Sequence, residues 1–194
     1  MSYTWFLQLW GGSLFLLNKY FFSLAQASPD QQQRWQINAW IAYLVGLPAW
    51  IIVLVSERNW IAAAVEAGSA PLMLMGLIAA MRGRDLVPAK LRYFSMACVG
   101  AGIAASLLDS GGVTLVHKLE EVSIASGFLL GTWFVADGRA SGYLWFALGN
   151  VFCALLMYQE GYYYLMIQQL ISLALVLKIS SRAGFSCRDF GDSQ

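Results

Sequence analysis

The sequence predicts an all-α membrane protein, seven transmembrane helices arranged as a parallel 3+1+3 repeat, and three observations carry that fold class. Hydrophobic residues make up 59% of the 194 residues and charged ones only 12%, with a mean hydropathy of +0.59. A soluble domain is about a quarter charged, so this chain lacks the polar surface to coat a water-facing globule. The apolar residues gather in segments of about 17 residues or more, long enough to cross a bilayer. The back half, finally, is a worn copy of the front. Moved back 103 positions, Gly149–Leu177 falls on Gly46–Leu74 without a gap, with Gly149 on Gly46, Glu160 on Glu57, Tyr163 on Trp60, Ser172 on Ser69 and Leu175 on Leu72. A second register carries Ser126-Gly127-Phe128-Leu129-Leu130 onto Ser13-Leu14-Phe15-Leu16-Leu17. Duplicated helix bundles of this kind are the usual architecture of small transporters.

The first span is placed at Trp5–Leu24. Met1–Phe6 has no basic residue and no small-residue cleavage site follows, so the segment reads as a span and not as a cleaved signal peptide. Gln36–Val55 and Asn59–Met81 are the second and third spans, separated only by Ser56-Glu57-Arg58, a link so short that the two must run antiparallel. Leu91–Leu108 is the fourth. Leu119–Ala136 is the fifth, with the shortest purely apolar part and with Glu120 and Glu121 at its start. Gly142–Tyr158 and Tyr162–Ile179 complete the set across the tight turn Gln159-Glu160-Gly161. Residues 1–179 thus form one transmembrane domain, in which the triplets 5–81 and 119–179 flank a linker helix at 91–108. The polar tail at 180–194 is expected to be disordered. An odd linker helix makes both triplets cross the membrane in the same sense, with the binding site expected between them near the midplane.

Basic residues set the orientation. With the N-terminus outside, inner segments hold Arg34, Arg82, Arg84, Lys90, Arg92, Arg139, Lys178, Arg182 and Arg188, and outer segments hold only Arg58 and Lys118. That is a strong positive-inside bias and places the C-terminus in the cytoplasm. Eight Trp, nine Tyr and eleven Phe suit the aromatic belts of membrane interfaces.

Several function classes fall away. A net charge of +1 argues against a nucleic-acid partner. Cys98, Cys153 and Cys187 are odd in number and far apart, which fits neither a disulfide nor a metal set. His117 is the only histidine, so no metal site is expected. No Gly-rich phosphate loop and no nucleophile–base motif occurs, so neither an enzyme nor a cofactor is expected. The expected partners are a small-molecule substrate and the lipid bilayer, and a homo-oligomer is left open.

Polar residues within spans single out the candidate site. A charge at the bilayer centre costs at least about 2.5–3.5 kcal/mol, so one that is kept usually faces a cavity or a partner. Glu66 lies among Ala62–Val65 and Ala67-Gly68, whose small side chains let a helix or ligand approach closely. It reads as a carboxylate that holds a cation or carries a proton, or else as a protonated or hydrogen-bonded brace. Gln168 and Gln169 sit at the equivalent depth of the second copy, where an amide suits reading an amide or a ribose hydroxyl, or bridging two helices. Tyr143 and Asn150 share a face of the sixth span with Trp145 beside them, aromatic walls and an amide that describe a pocket for a flat heterocycle. Asn18 and Lys19 carry less weight, since Lys19 can snorkel to an interface. Glu120 and Glu121, beside His117 and Lys118, read as a solvated outer cluster. Pro48 and Pro71 permit kinks and are replaced by Val151 and Ala174 in the second copy, which makes the first triplet the expected hinge.

Three runs in the second triplet carry a resemblance. Gly131-Thr132-Trp133-Phe134-Val135-Ala136-Asp137-Gly138-Arg139, then Tyr143-Leu144-Trp145 with Gly149-Asn150, then Tyr158-Gln159-Glu160-Gly161-Tyr162-Tyr163 together resemble the PnuC family of nicotinamide riboside transporters. The resemblance covers about Glu120–Gly184. It implies the 3+1+3 fold, a bacterial inner membrane, and facilitated diffusion of an unphosphorylated, vitamin-related nucleoside that cytoplasmic phosphorylation then traps. It also implies that Trp145, Asn150 and Gln169 contact substrate, with Glu66 standing where the first triplet usually carries a glutamine. The chain departs from the family at Gly76-Leu77-Ile78-Ala79-Ala80-Met81, which lacks a Trp, and at Thr132. A glutamate at position 66 would favour a cationic pyridinium or thiazolium ring. The competing class is a non-transporting membrane subunit or signalling scaffold of the same fold, with a dry interface between its triplets.

Overall fold

The computed structural model describes residues 2–56, 60–108, 115–159, 161 and 163–182, and among them the chain is helical without strands. Seven α-helices follow one another: α1 (Ser2–Ala27), α2 (Gln32–Ser56), α3 (Trp60–Arg82), α4 (Ala89–Leu108), α5 (Leu115–Ala136), α6 (Gly142–Gln159) and α7 (Tyr163–Arg182). Short 3-10 turns at Pro29–Gln31 and Arg84–Leu86 make two of the bends. Most helices overrun the apolar stretches that predict them, because the backbone ladder continues into polar sequence until a breaker intervenes. α7 accordingly takes in Ser180, Ser181 and Arg182, assigned above to the disordered tail. The rest of that tail lies outside the described residues, as do Glu57, Arg58 and Glu160 and the side chains of His117 and Lys118.

Three helical stretches, Pro29–Ser56, Leu119–Ala136 and Gly142–Gln159, are long and apolar enough to cross a membrane, and Leu165–Ser181 is a shorter apolar one. By contrast α1 carries Asn18 and Lys19 in its interior, and α4 opens on Lys90 and Arg92. The outer faces of the helices are apolar. Leu144, Leu148, Val151 and Leu155 of α6 recur at helical spacing and are all exposed, as are Ile41, Val45 and Ile52 of α2. Stripes of this extent suit a surface that meets lipid.

Helix contacts set the architecture. α1 packs along α2, α2 on α3, α3 on α5, α5 on α6, α6 on α7, and α7 returns to α1, so that six helices close a ring. α4 packs on α3 and α5 from outside. The main core cluster is aromatic, with Phe22, Trp40, Tyr43, Tyr143 and Phe146 packed around Met73, Val176 and Ile179.

Small residues bring the helices together at corresponding places. Gly46 of α2 lies against Leu14 and Phe15 of α1, and Gly149 of α6 lies against Gly127 and Phe128 of α5. The two registers of the repeat meet here, since Gly149 matches Gly46 while Gly127 and Phe128 match Leu14 and Phe15. The α5–α6 approach is the closer: a Cβ on Gly127 would stand 2.6 Å from the Cα of Gly149. Side chains add ties between helices. Asn18 Nδ2 donates to the Ala39 carbonyl at 3.0 Å, Trp10 Nε1 to the Val45 carbonyl at 3.3 Å, and Gln33 Nε2 to the Ala80 carbonyl at 3.1 Å. Helices α2 and α3 run through Pro48 and Pro71 without interruption.

At the end of the bundle where α5 turns into α6, Gly138 takes φ +76°. The Arg139 N–H then reaches back to the Phe134 carbonyl at 2.7 Å and the Gly138 N–H to that of Val135 at 2.9 Å, closing the helix in a Schellman motif. Asp137 pairs with Arg92 at 3.0 Å and Arg139 at 3.1 Å, while Arg84 donates to the Gly138 carbonyl at 3.2 Å. The tips of α3 and α4 are thereby pinned to this turn.

Gly127→Ala should destabilise the fold by about 1–3 kcal/mol, because the added methyl meets backbone that cannot move aside. Gly100 has nothing within 4 Å of its would-be Cβ, so Gly100→Ala should be neutral or slightly stabilising. Thermal unfolding of both variants in one detergent tests the contrast.

Candidate functional site

A cavity of about 290 Å³ lies inside the ring. It stands at the lower end of small-molecule sites, which run to roughly 300–1,000 Å³. Its walls come from both halves of the chain and pair off by the two registers of the repeat. Phe15 and Phe128, Leu16 and Leu129, and Lys19 and Thr132 match by one register. Trp50 and Cys153, Leu54 and Met157, Glu66 and Gln169, and Ser69 and Ser172 match by the other. Seven matched pairs put the cavity where the two halves face each other.

Glu66, Asn150, Gln168 and Gln169 line this cavity. Gln168 is buried with its amide against Gly12, and so joins α7 to α1. Asn150 is 1% exposed; its Nδ2 donates to the Phe146 carbonyl at 2.6 Å and its Oδ1 has no partner among the described residues. The Trp50 indole N–H, in the same walls, is also buried and has no partner among the described residues. A buried polar group left so costs about 1–3 kcal/mol, which a ligand or water supplying the missing bond would recover.

Tyr143 and Trp145 stand elsewhere. Tyr143 lies two turns from Asn150, about 10 Å along the helix, and so shares its face at a different depth. It lines a second cavity of about 230 Å³ with Phe22, Gln26, Trp40, Arg84 and Arg139. Trp145 is five residues from Asn150, about 140° around the helix, and lines neither cavity. The aromatic wall of the first cavity comes instead from Phe15, Tyr43, Trp50 and Phe128.

Lys19 corrects the expectation of a snorkelling side chain. It is 5% exposed and lines the cavity, with Nζ 3.9 Å from the Phe146 ring centroid and 5.1 Å from that of Tyr43. Phe146 and Tyr43 are equivalent in the repeat, so the ammonium is held between matched rings of the two halves. Thr132, the counterpart of Lys19, bonds to the hydroxyl of Tyr43 and donates to the Phe128 carbonyl at 2.7 Å. Applying the second register two residues further would have paired Lys19 with Thr132 in the sequence, and that was the missed signal.

Lys19 and Glu66 interact electrostatically, yet they are not among the ion pairs within 4 Å formed by the described residues. Ser69 Oγ donates to the backbone carbonyl of Glu66 at 2.6 Å, which leaves the carboxylate itself to the cavity. One glutamate of α5 departs from the solvated cluster expected. Glu120 is 4% exposed and accepts a hydrogen bond from Gln159 Nε2 at 2.8 Å, because α6 brings an amide back across the start of α5. Glu121 is exposed and lines the cavity. Among the described residues, no three His, Cys, Asp or Glu side chains come together as a metal site.

One helical turn separates the two cavities. Phe22, Trp40 and Tyr143 border the second, and Lys19, Tyr43 and Phe146 stand one turn away on the same three helices. Phe22 meets Trp40 and Tyr143 edge-on, at 5.3 and 6.4 Å between ring centroids.

Compared with known protein families, with curated proteins and with solved structures, the chain matches none.

Removing either charge alone leaves its opposite buried without compensation, whereas removing both takes away the opposed pair together. Lys19→Met/Glu66→Gln should therefore be more stable than the sum of the single changes implies, with a coupling of about 0.5–3 kcal/mol. A double-mutant cycle of unfolding free energies measures it, and additive single effects would show the two charges to be independent.

Proposed function

We propose that the chain is a facilitative transporter for a small vitamin-related or nucleoside-like compound, of which nicotinamide riboside is the type. In this reading all seven helices span the bacterial inner membrane, with the N-terminus outside and the C-terminus in the cytoplasm. They form two parallel triplets, α1–α3 and α5–α7, joined by α4. The observation that carries the reading is the cavity walled by matched residues of the two halves, with unpartnered polar groups inside it. The order of helix contacts supports it as well. Exchanging α1, α2 and α3 for α5, α6 and α7 turns the α1–α2 contact into α5–α6, α2–α3 into α6–α7, and α7–α1 into α3–α5, and each of these occurs.

The second cavity and the aromatic layer beside it supply the remaining part a transporter requires, a barrier on the substrate's path. Substrate held in the first cavity would leave by displacement of Phe22, Trp40 and Tyr143 toward the basic, cytoplasmic end. Hinging at Pro48 and Pro71 would supply the movement. A non-transporting subunit would have a dry interface with Glu66 satisfied by protein groups. The cavity, and a Glu66 carboxylate with no hydrogen-bond donor among the described residues, favour transport instead.

Uptake of labelled nicotinamide riboside and thiamine into proteoliposomes tests the proposal. At least one compound should enter faster than into protein-free vesicles. Asn150→Ala and Glu66→Ala should each slow its entry about tenfold, the effect of losing roughly 1.4 kcal/mol of binding. If neither compound enters and neither change alters binding of any vitamin, the protein is not a transporter of this class.

A further inference from the structure

Three charged residues line the cavity: Glu121, which is exposed to solvent, and Lys19 and Glu66, which are opposite in sign and form no ion pair within 4 Å. Lys19 comes from α1 and Glu66 from α3, both within the first triplet, while their counterparts Thr132 and Gln169 are uncharged. The two charges therefore stand at positions whose counterparts in the second half are neutral. The ammonium of Lys19 is steadied by the rings of Phe146 and Tyr43, but rings accept no directed hydrogen bond of ordinary strength, so its three N–H groups still call for oxygen. The carboxylate of Glu66 accepts no hydrogen bond from the described side chains and calls for a donor or a cation. Trp50 and Asn150 add one unused donor and one unused acceptor.

The chemistry that completes such a set follows by elimination. A simple cation gains Glu66 and the exposed Glu121 but is opposed by Lys19 and leaves its N–H groups without oxygen, and a simple anion gains Lys19 but is opposed by both carboxylates. An uncharged heterocycle leaves both charges unpaired in a medium of low dielectric, where that is most costly. We infer that the substrate is a compact, flat zwitterion, whose carboxylate binds Lys19 and whose cationic nitrogen binds Glu66. The aromatic walls set its flatness, and the cavity of about 290 Å³ sets its size. This rests on the transport reading above and sharpens its substrate class, since nicotinamide riboside carries the cationic ring without the carboxylate.

Four probes of nearly one shape separate the charges: N-methylnicotinate is a zwitterion, N-methylnicotinamide a cation, nicotinate an anion and nicotinamide uncharged. Calorimetric titration of the full chain in nanodiscs should find N-methylnicotinate bound at least about tenfold more tightly than the other three. Lys19→Met should move the preference to the cation and Glu66→Gln to the anion, while Lys19→Arg keeps the original order. The wild-type ranking needs no variant, so a variant that fails to fold does not block the test. A wild-type preference for any of the other three overturns the inference, as does a preference that neither substitution moves. Binding of nicotinamide riboside or thiamine without any of the four also overturns it, yet leaves the transport reading standing. Binding of none of the six compounds removes both.

Discussion

An ammonium group taken out of water must be compensated, and the protein's interior is arranged around the compensation of Lys19. Two rings hold it, Tyr43 from α2 and Phe146 from α6, and Glu66 from α3 faces it across the cavity. Those four helices come from both halves of the chain. They can meet only because Gly46 and Gly149 let α1 onto α2 and α5 onto α6 at close range. The neighbouring Asn18 ties α1 to the Ala39 carbonyl, which sets the rotation that turns Lys19 inward. The glycines, the amide and the aromatic pair are thus parts of one device for keeping a charge inside an apolar ring.

How far the sequence could be read depends on how many places a side chain has to go. Glu66, Asn150, Gln168 and Gln169 were legible because a short polar side chain in a long apolar run cannot reach water, so it turns inward. Lys19 was not, since its stem is long enough to reach an interface and nothing local forbids it. Tyr43 and Trp50 gave no signal, because an aromatic residue in an apolar helix looks the same whether it faces lipid, core or cavity. Trp145 misled through proximity in sequence, for five residues along a helix nearly reverse the direction a side chain points. Glu120 misled because its partner, Gln159, lies 39 residues away. Helix positions were read well, since apolar runs mark where a helix lies, but their ends were not, because capping and backbone bonding extend beyond the apolar stretch.

The likeness of the two halves explains where the cavity is, and their differences explain what it holds. Residues that correspond in sequence, such as Phe15 and Phe128 or Ser69 and Ser172, line it from both halves. Replacing one member of a pair breaks that correspondence locally, as lysine does opposite Thr132 and glutamate opposite Gln169.

The bond from Trp10 to Val45 has a mechanical meaning. Val45 lies in the turn before Pro48, where the proline ring disturbs the helix carbonyls and allows a bend. Pro48 leaves the adjacent Leu44 carbonyl without its helix donor, and the helix would there be a rod with a weak point. Bolted to the indole of α1, it cannot swing alone, and Asn18 fastens the same two helices about two turns away. Bending at Pro48 therefore moves α1 and α2 as the two planks of one door leaf, and Lys19, carried on α1, travels with it.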